Sequence, residues 1–327
     1  VLSEIALLKP DLDDMNDLVS VIIPSCGRSD YFISCLESLF RQTCPPREVI
    51  LINNSLSVAL EQKARESYPS VKMITPDRNL YYGDSLNCGI AMSMGDFILC
   101  LNDDVVLDKN FIGEALQGFI KDEKIGMVTG KILRPDRKTL DSTGLFLSAY
   151  RTAQERGYGR EDWGQFEGSG PVFGVSGAAA FYRKKMLNEV QEREVWFDPR
   201  FRMFYEDLDL AWRAHKRGWK GYYISSAVAY HVRGGSVRAE GSQGKTIARQ
   251  YLNDEMYCCL IRNRYLTIIK NEDFRDFLFH LIPVALYELA SWIHILFFRP
   301  KVAWLLFSQG MGRTLRTHRK NQGVLGG

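Results

Sequence analysis

Short, almost unbroken apolar runs alternate with stretches whose apolar residues recur at helical spacing over the first third of the chain. Val19-Ser20-Val21-Ile22-Ile23-Pro24 reads as a strand stopped by proline, and Ser25-Cys26-Gly27-Arg28 turns after it. Phe32, Cys35, Leu36, Leu39 and Phe40 predict a helix over 31–42. A second buried strand over 48–52 ends in Asn53-Asn54-Ser55, and a helix follows over 58–68. Residues 72–74 form a third short strand, and 79–87 turn into a helix that runs through Met94. The fourth strand, Phe97 to Leu101, stops abruptly at Asn102-Asp103-Asp104. This alternation predicts βαβ units and a parallel sheet, hence an α/β fold. Three strands end in polar residues at one presumed edge, where open α/β sheets bind ligands.

The later pattern is less regular. Residues 157–174, rich in glycine and aromatics, read as loop, and 175–182 as a strand of small residues. Trp196 to Phe201 turn ahead of Tyr205-Glu206-Asp207-Leu208-Asp209, and Leu208, Leu210, Ala211 and Ala214 begin a helix that ends near Gly218. Tyr222-Tyr223-Ile224 reads as one strand and Val228-Ala229-Tyr230-His231 as a separate run, followed by Gly234-Gly235-Ser236.

Two acidic groups carry candidate chemistry. Carboxylates packed at the end of a strand need a cation or hydrogen-bond donors. Asn102-Asp103-Asp104 therefore read either as a metal–diphosphate site or as an Asn/Asp-rich turn. Glu206 and Asp207 open a helix, where the dipole favours acids, so capping competes with catalysis. A lone histidine such as His231 is most often a packed residue; beside the acidic cluster it would become a ligand.

The excluded classes narrow the field. No Gly-x-Gly-x-x-Gly follows the first strand and no Walker phosphate loop occurs, which removes the dinucleotide-binding dehydrogenases and P-loop NTPases. A net charge of +3 is too small to suggest nucleic acid. The 7 cysteines include no Cys-x-x-Cys pair, and Cys258 and Cys259 are adjacent, so reduced thiols in a cytoplasmic setting fit best. Residues 1–18 are an acidic, mixed extension without the pattern of a signal peptide.

The chain is expected to divide into this extension, a catalytic domain over 19–270, and a helical, basic tail over 271–327. No acid follows Glu288, whereas Arg299, Lys301, Arg313, Arg316, Arg319 and Lys320 do, which points to an anionic partner such as a lipid surface. Residues 274–298 are long enough to cross a bilayer, but Glu288, His280 and His294 argue against it. Helices lying in the headgroup region fit better, and packing on the domain or a homodimer interface is the rival reading.

Taken in order, these pieces resemble the family 2 inverting glycosyltransferases of the GT-A fold, in particular their rhamnosyltransferase-like branch. They are Val21-Ile22-Ile23-Pro24 with Arg28; Asn53-Asn54-Ser55; Asn79-Leu80 with Asn87-Cys88-Gly89; Leu101-Asn102-Asp103-Asp104; Ser176-Gly177-Ala178; Phe197-Asp198 with Tyr205 to Leu210 and Arg213; and His231 with Gly234-Gly235-Ser236. The resemblance implies a Rossmann-like, mostly parallel mixed sheet with flanking helices and a C-terminal helical extension. It implies that Asp104 and His231 hold Mg²⁺ or Mn²⁺ and that Asp207 is the catalytic base. Pro24, Ser25, Arg28, Asn53, Asn54, Ser55, Asn79 and Asn87 would line the nucleotide pocket, with Asp103 near the ribose. Asp84, Gly177, Glu206 and Asp209 would face the sugar or acceptor. The implied partners are a dTDP- or UDP-sugar and a glycan or lipid-linked acceptor in cell-surface polysaccharide synthesis. Three residues depart from the family: Asn53 replaces an aspartate, Tyr81 a glycine, and Asp84 is unusual. A sugar-phosphate nucleotidyltransferase is a rival, though only Gly27-Arg28 stands where it wants a basic Gly-rich loop. A non-catalytic binding module on the same fold is another.

Overall fold

The structure is a computed structural model that describes residues 18–27, 29–232 and 252–308. Arg28, the 1–17 extension, Gly234-Gly235-Ser236 and the basic residues beyond Ser308 lie outside the described residues.

Strands β1 (Val19–Ser25), β2 (Glu48–Asn53), β3 (Lys72–Ile74) and β4 (Phe97–Leu101) alternate with helices α1 (Ser29–Phe40), α2 (Val58–Ser67) and α3 (Tyr82–Met92). β5 (Val105–Leu107), α4 (Phe111–Ile120), β6 (Ile125–Leu133), β7 (Leu140–Ser142), β8 (Leu145–Leu147) and β9 (Ala153–Glu155) follow. The rest comprises β10 (Gly170–Val172), β11 (Ala179–Arg183), α5 (Lys184–Val190), a 3₁₀ turn (Pro199–Phe201), α6 (Glu206–Lys216), β12 (Lys220–His231), α7 (Asp254–Asn271), α8 (Phe274–Phe298) and α9 (Pro300–Ser308).

One sheet has the order β10-β12-β6-β11-β4-β1-β2-β3. β4, β1, β2 and β3 pair in parallel, β11 runs antiparallel between β4 and β6, and β12 is parallel to β6. The ends of β1, β2, β4, β6 and β12 therefore share one edge. The continuous apolar runs of the first strands have a simple cause: both sheet faces are covered. Val21, Ile23, Leu51 and Leu99 pack in one cluster with Leu36 of α1 and Leu116 of α4, while Ile22, Ile50 and Ile98 pack in the other with Leu86 of α3 and Leu210 of α6.

Three expectations change. The runs at 222–224 and 228–231 are one strand, β12, whose register against β6 shifts between Ile224 and Val228. The intervening Ser225-Ser226 is a bulge: Ser225 N donates to Ser169 Oγ (3.0 Å), and Ser226 Oγ donates to Glu114 Oε2 (2.6 Å). The predicted loop over 157–174 contains β10, which pairs with β12, and the strand expected from 175 begins at Ala179.

α8 is amphipathic in reverse. Its more polar stripe, with Tyr287, Glu288 and Ser291, lines a hollow against Arg264 and Tyr265 of α7. Its outward side chains are apolar, with Phe279 83%, Ile282 72% and Phe297 78% exposed. Glu288 is paired inward with Arg264 and Tyr265, and His280 Nδ1 lies 2.9 Å from Arg151 Nη2, while His294 stacks on Phe298. The charge read as an obstacle to crossing a bilayer is thus paired on the protein side. Among the described residues α8 is the one helix whose length and composition suffice to cross a membrane.

Candidate active site

The end of β1 turns sharply against the end of β2. Gly27 has φ +83°, and a Cβ there would lie 2.5 Å from Ser55 Cβ, so only glycine fits. Its N–H donates to Ser25 Oγ (3.2 Å), which donates to Asp103 Oδ2 (2.7 Å). Asn53 accepts from Ser55 Oγ (2.6 Å) and donates to Ser57 O (3.1 Å). Asn79 Nδ2 donates to Asn54 O (2.8 Å). Pro24, Ser25, Asn53, Ser55, Asn79 and Asp103 are thus gathered at one sheet edge.

Two residues expected in the nucleotide pocket have their side chains committed elsewhere. Asn54 is buried; it donates to Ser85 Oγ (2.6 Å) and accepts from Leu80 N (3.2 Å), fixing the turn before α3. Asn87 donates to Phe197 O (2.7 Å) and accepts from Trp196 N (3.1 Å) and Phe197 N (2.9 Å). It is a clamp on that segment.

The same edge brings residues far apart in sequence together. His231, ending β12, places Nε2 3.1 Å from Asp104 Oδ1, beyond β4. Its Nδ1 lies 2.8 Å from Asp141 Oδ2, on β7. Asp141 is fully buried and nothing in the sequence pattern singles it out. Burial alone would lower the imidazole's pKa, but the two carboxylates outweigh it and raise it to about 9. Asn102 Oδ1 is buried beside this corner without a hydrogen-bond partner.

The second acidic corner starts α6. Asp207 Oδ1 accepts from Leu208 N (2.7 Å) and Oδ2 from Gly177 N (3.3 Å). Gly177 O in turn accepts from Tyr82 Oη (2.7 Å). Glu206 Oε2 is buried and unpartnered, so capping leaves that oxygen unexplained. Burial, then the Asp207 charge, pushes the Glu206 carboxyl up to about 8. Burial also raises Asp207, against the amide N–H groups of Leu208 and Gly177. The Tyr82 phenol is raised by burial and then by charges that include Glu206, Asp207 and Asp104. Asp84, half-buried in the first turn of α3, is raised by burial against the opposing charge of Arg78.

Asp209 belongs elsewhere, a correction to its expected place in the acceptor pocket. It is fully buried and bonds Arg213 Nε (2.9 Å), Lys270 Nζ (3.0 Å) and Asn271 Nδ2 (2.8 Å). Two residues along a helix turn a side chain through ~200°, which carries it from the cleft into the core behind α6.

Residues 20–191 match the family model described as glycosyl transferase family 2. The chain belongs to that family. Its sheet and helices are a GT-A fold, and this is a glycosyltransferase. It is 26% identical over 239 residues to an N-acetylglucosaminyl-diphospho-decaprenol L-rhamnosyltransferase of Mycobacterium tuberculosis, covering 66% of this chain and 76% of that one. Over 233 residues it is 23% identical to a poly-beta-1,6-N-acetyl-D-glucosamine synthase of Staphylococcus aureus, covering 68% of this chain and about half, 52%, of that one. Among solved structures, a mannosyltransferase from Pyrobaculum calidifontis in complex with GDP-Man and Mn²⁺ superposes with TM-score 0.54 at 13% identity, covering 93% and 82% of the two chains. GalNAc-T7 with UDP, GalNAc and Mn²⁺ gives 0.56 at 13% identity, covering 76% of this chain and 47% of that one.

The donor set suits a divalent ion that is shared with substrate. Asp104 Oδ1 and His231 Nε2 stand 3.1 Å apart. Adjacent ligands of an octahedral ion with bonds of about 2.1 Å are ~3 Å apart. Asp141 holds the other imidazole nitrogen, as carboxylates behind metal-bound histidines commonly do. Among the described residues no three His, Cys, Asp or Glu side chains converge into a closed metal cage. Removing the orienting carboxylate with Asp141→Asn is expected to weaken Mn²⁺ affinity ~10–100-fold, measured by calorimetric titration with nucleoside diphosphate present. Unchanged affinity would separate Asp141 from the metal corner.

Proposed function

We propose that this glycosyltransferase moves a sugar from a dTDP- or UDP-sugar to a hydroxyl of a lipid-linked or glycan acceptor, with inversion, in the assembly of a cell-surface polysaccharide. The observation that carries the reading is the Asp104–His231 pair at the edge where β4 ends, with Asp207 held by Gly177 N, whose carbonyl accepts from Tyr82 Oη.

Asp104 and His231 would hold Mg²⁺ or Mn²⁺, which supplies positive charge for the diphosphate as it leaves. Ser25, Asn53, Ser55, Asn79 and Asp103 hold the nucleotide at the sheet edge. Asp207 takes the proton of the acceptor hydroxyl as it attacks the anomeric carbon, help typically worth ~10²–10⁴ in rate. Attack from the face opposite the departing diphosphate inverts that carbon, and one base suffices. Glu206, protonated near neutral pH because burial and the Asp207 charge raise it, donates a hydrogen bond to acceptor or sugar.

A lipid-linked acceptor is supported by the mycobacterial relative, whose name specifies a decaprenol diphosphate. It is also supported by the outward apolar face of α8 and by the basic residues after Glu288. On this reading the catalytic unit runs from 19 to about 270, and the helices beyond it seat the enzyme on the inner face of the membrane. The ion pairs of Lys270 with Asp198 and Asp209 support counting α7 with the catalytic unit.

The test is a donor panel of UDP-, dTDP- and GDP-sugars with Mn²⁺ and an N-acetylglucosaminyl diphosphate polyprenol in anionic vesicles. One donor is expected to give product, with the protein sedimenting with the vesicles. Transfer to a soluble glycan alone, with no protein in the vesicle pellet, would overturn the lipid-linked reading.

A further inference from the structure

The turn that carries Glu206 and Asp207 has a costly backbone, and the group that holds it lies outside the segment matched by the family model. Arg202, Phe204 and Tyr205 all have left-handed backbones, with φ of 58°, 70° and 72°. Side chains disfavour that region, and no glycine relieves it between Phe201 and Glu206. Strain of this kind persists only where surrounding structure imposes it. Phe201 and Tyr205 pack against Leu266 of α7, and the polar groups of the turn meet one side chain of that helix. Asn263 is fully buried, and its Nδ2 lies 2.5 Å from Phe201 O, 2.6 Å from Met203 O and 2.8 Å from Phe204 O. Arg262, next to it, donates from Nη2 to Arg200 O (3.0 Å) and to Asn263 Oδ1 (3.1 Å). The orientation of the carboxamide follows from its partners, since a flip would set its oxygen against three carbonyl oxygens.

We propose that Asn263 is a positioning residue for the transfer reaction: its amide sets the 201–205 turn so that Asp207 meets Gly177 and faces Tyr82. This rests on the reading of Asp207 as the base. Asn263 touches no part of the nucleotide edge, because its partners are the turn, Arg262 and the next turn of its own helix, where its carbonyl accepts from Thr267 Oγ1 (2.8 Å). Loss of the amide should therefore misplace the base and leave the donor where it was.

Two variants test this in the full chain. Asn263→Asp keeps the shape and removes both donors; Asn263→Ser keeps one and serves if the first does not fold. For the folded variant, kcat for transfer is expected to fall ~100-fold, as a misplacement of about an ångström does. KM for the donor, and the affinity for UDP or dTDP with Mn²⁺, should stay within about twofold of the native chain. A kcat within twofold of native overturns the proposal. So does a parallel loss of kcat and nucleotide affinity, which marks a general structural role. Asp207→Asn is run alongside: if it turns over normally, the base assignment fails, and that result is distinct from either outcome at Asn263.

Discussion

Asp207→Asn is expected to lower kcat by ~10²–10⁴ while nucleotide affinity stays near native. The substitution is nearly isosteric and keeps one oxygen to accept from Leu208 N or Gly177 N, at the cost of the other acceptor. What is lost is the proton acceptor. A stability signature accompanies the loss of rate. Burial raises both Glu206 and Asp207 in the folded chain. A carboxyl with a raised folded pKa contributes its full stability below the unfolded carboxylate range and loses it as pH rises through the folded value. That window extends to about 8 for Glu206. Removing one charge of the pair should thus raise Tm at pH 8 and change it little at pH 4, by differential scanning fluorimetry. A lower Tm at pH 8, or native turnover, would count against a strained pair held for catalysis.

The largest stability effect is expected at Lys270. Its side chain is 2% exposed and meets Asp198 Oδ2 (2.8 Å), Asp209 Oδ1 (3.0 Å) and Glu192 Oε2 (3.0 Å). Lys270→Met removes one of two cations from the buried Asp209, which keeps Arg213, and from the partly buried Asp198, which keeps Arg200; breaking a buried pair costs up to roughly 3–5 kcal/mol. At ~2–4 °C per kcal/mol, Tm should fall by about 10 °C. Asp209 supplies the pH dependence. Burial alone would raise it, but Arg213 and Lys270 hold it below the usual carboxylate range. A depressed carboxylate contributes stability above its unfolded pKa and loses it as pH falls through the folded one. The gap between native and variant should therefore be full at pH 7 and narrow below about pH 4. A Tm within 2–3 °C of native at pH 7 would show that water replaces the lysine, contrary to the burial described here.

The first four strands were legible because sheet faces covered by helices on both sides demand apolar side chains in both directions. Lys72–Ile74 and Phe97–Leu101 form as the pattern predicts, residue for residue. A bulge reads like a strand end, which is why Ser225-Ser226 divides β12 in the pattern and not in the fold. Elements from β5 to β9 have no counterpart in the pattern reading. Asp141 was invisible for a related reason: its role exists only because β7 and β12 both pair with the last residues of β6, Ile132 and Leu133. The resemblance singled out Asp104, His231 and Asp207, yet no local signal places His231 beside Asp104; the antiparallel pairing of β5 with β12, which sets His231 opposite Val105, does that. Asp209 shows the opposite limit: helical spacing turns it away from Asp207, yet only the packing of α6 shows that it faces the core. On α8, the sequence alone made Glu288 an argument against crossing a bilayer. The partners on α7 that neutralise it, Arg264 and Tyr265, become visible only when the two helices are side by side.

The central claim is that Asp104 and His231 share one divalent ion at the nucleotide edge. A crystal of the protein grown with Mn²⁺ and UDP or dTDP, measured for anomalous scattering from manganese, tests it most directly. One strong peak is expected within ~2.3 Å of both Asp104 Oδ1 and His231 Nε2, with diphosphate oxygens among the remaining ligands. A peak bound to the diphosphate but away from His231, with the imidazole still paired to Asp104, would contradict it.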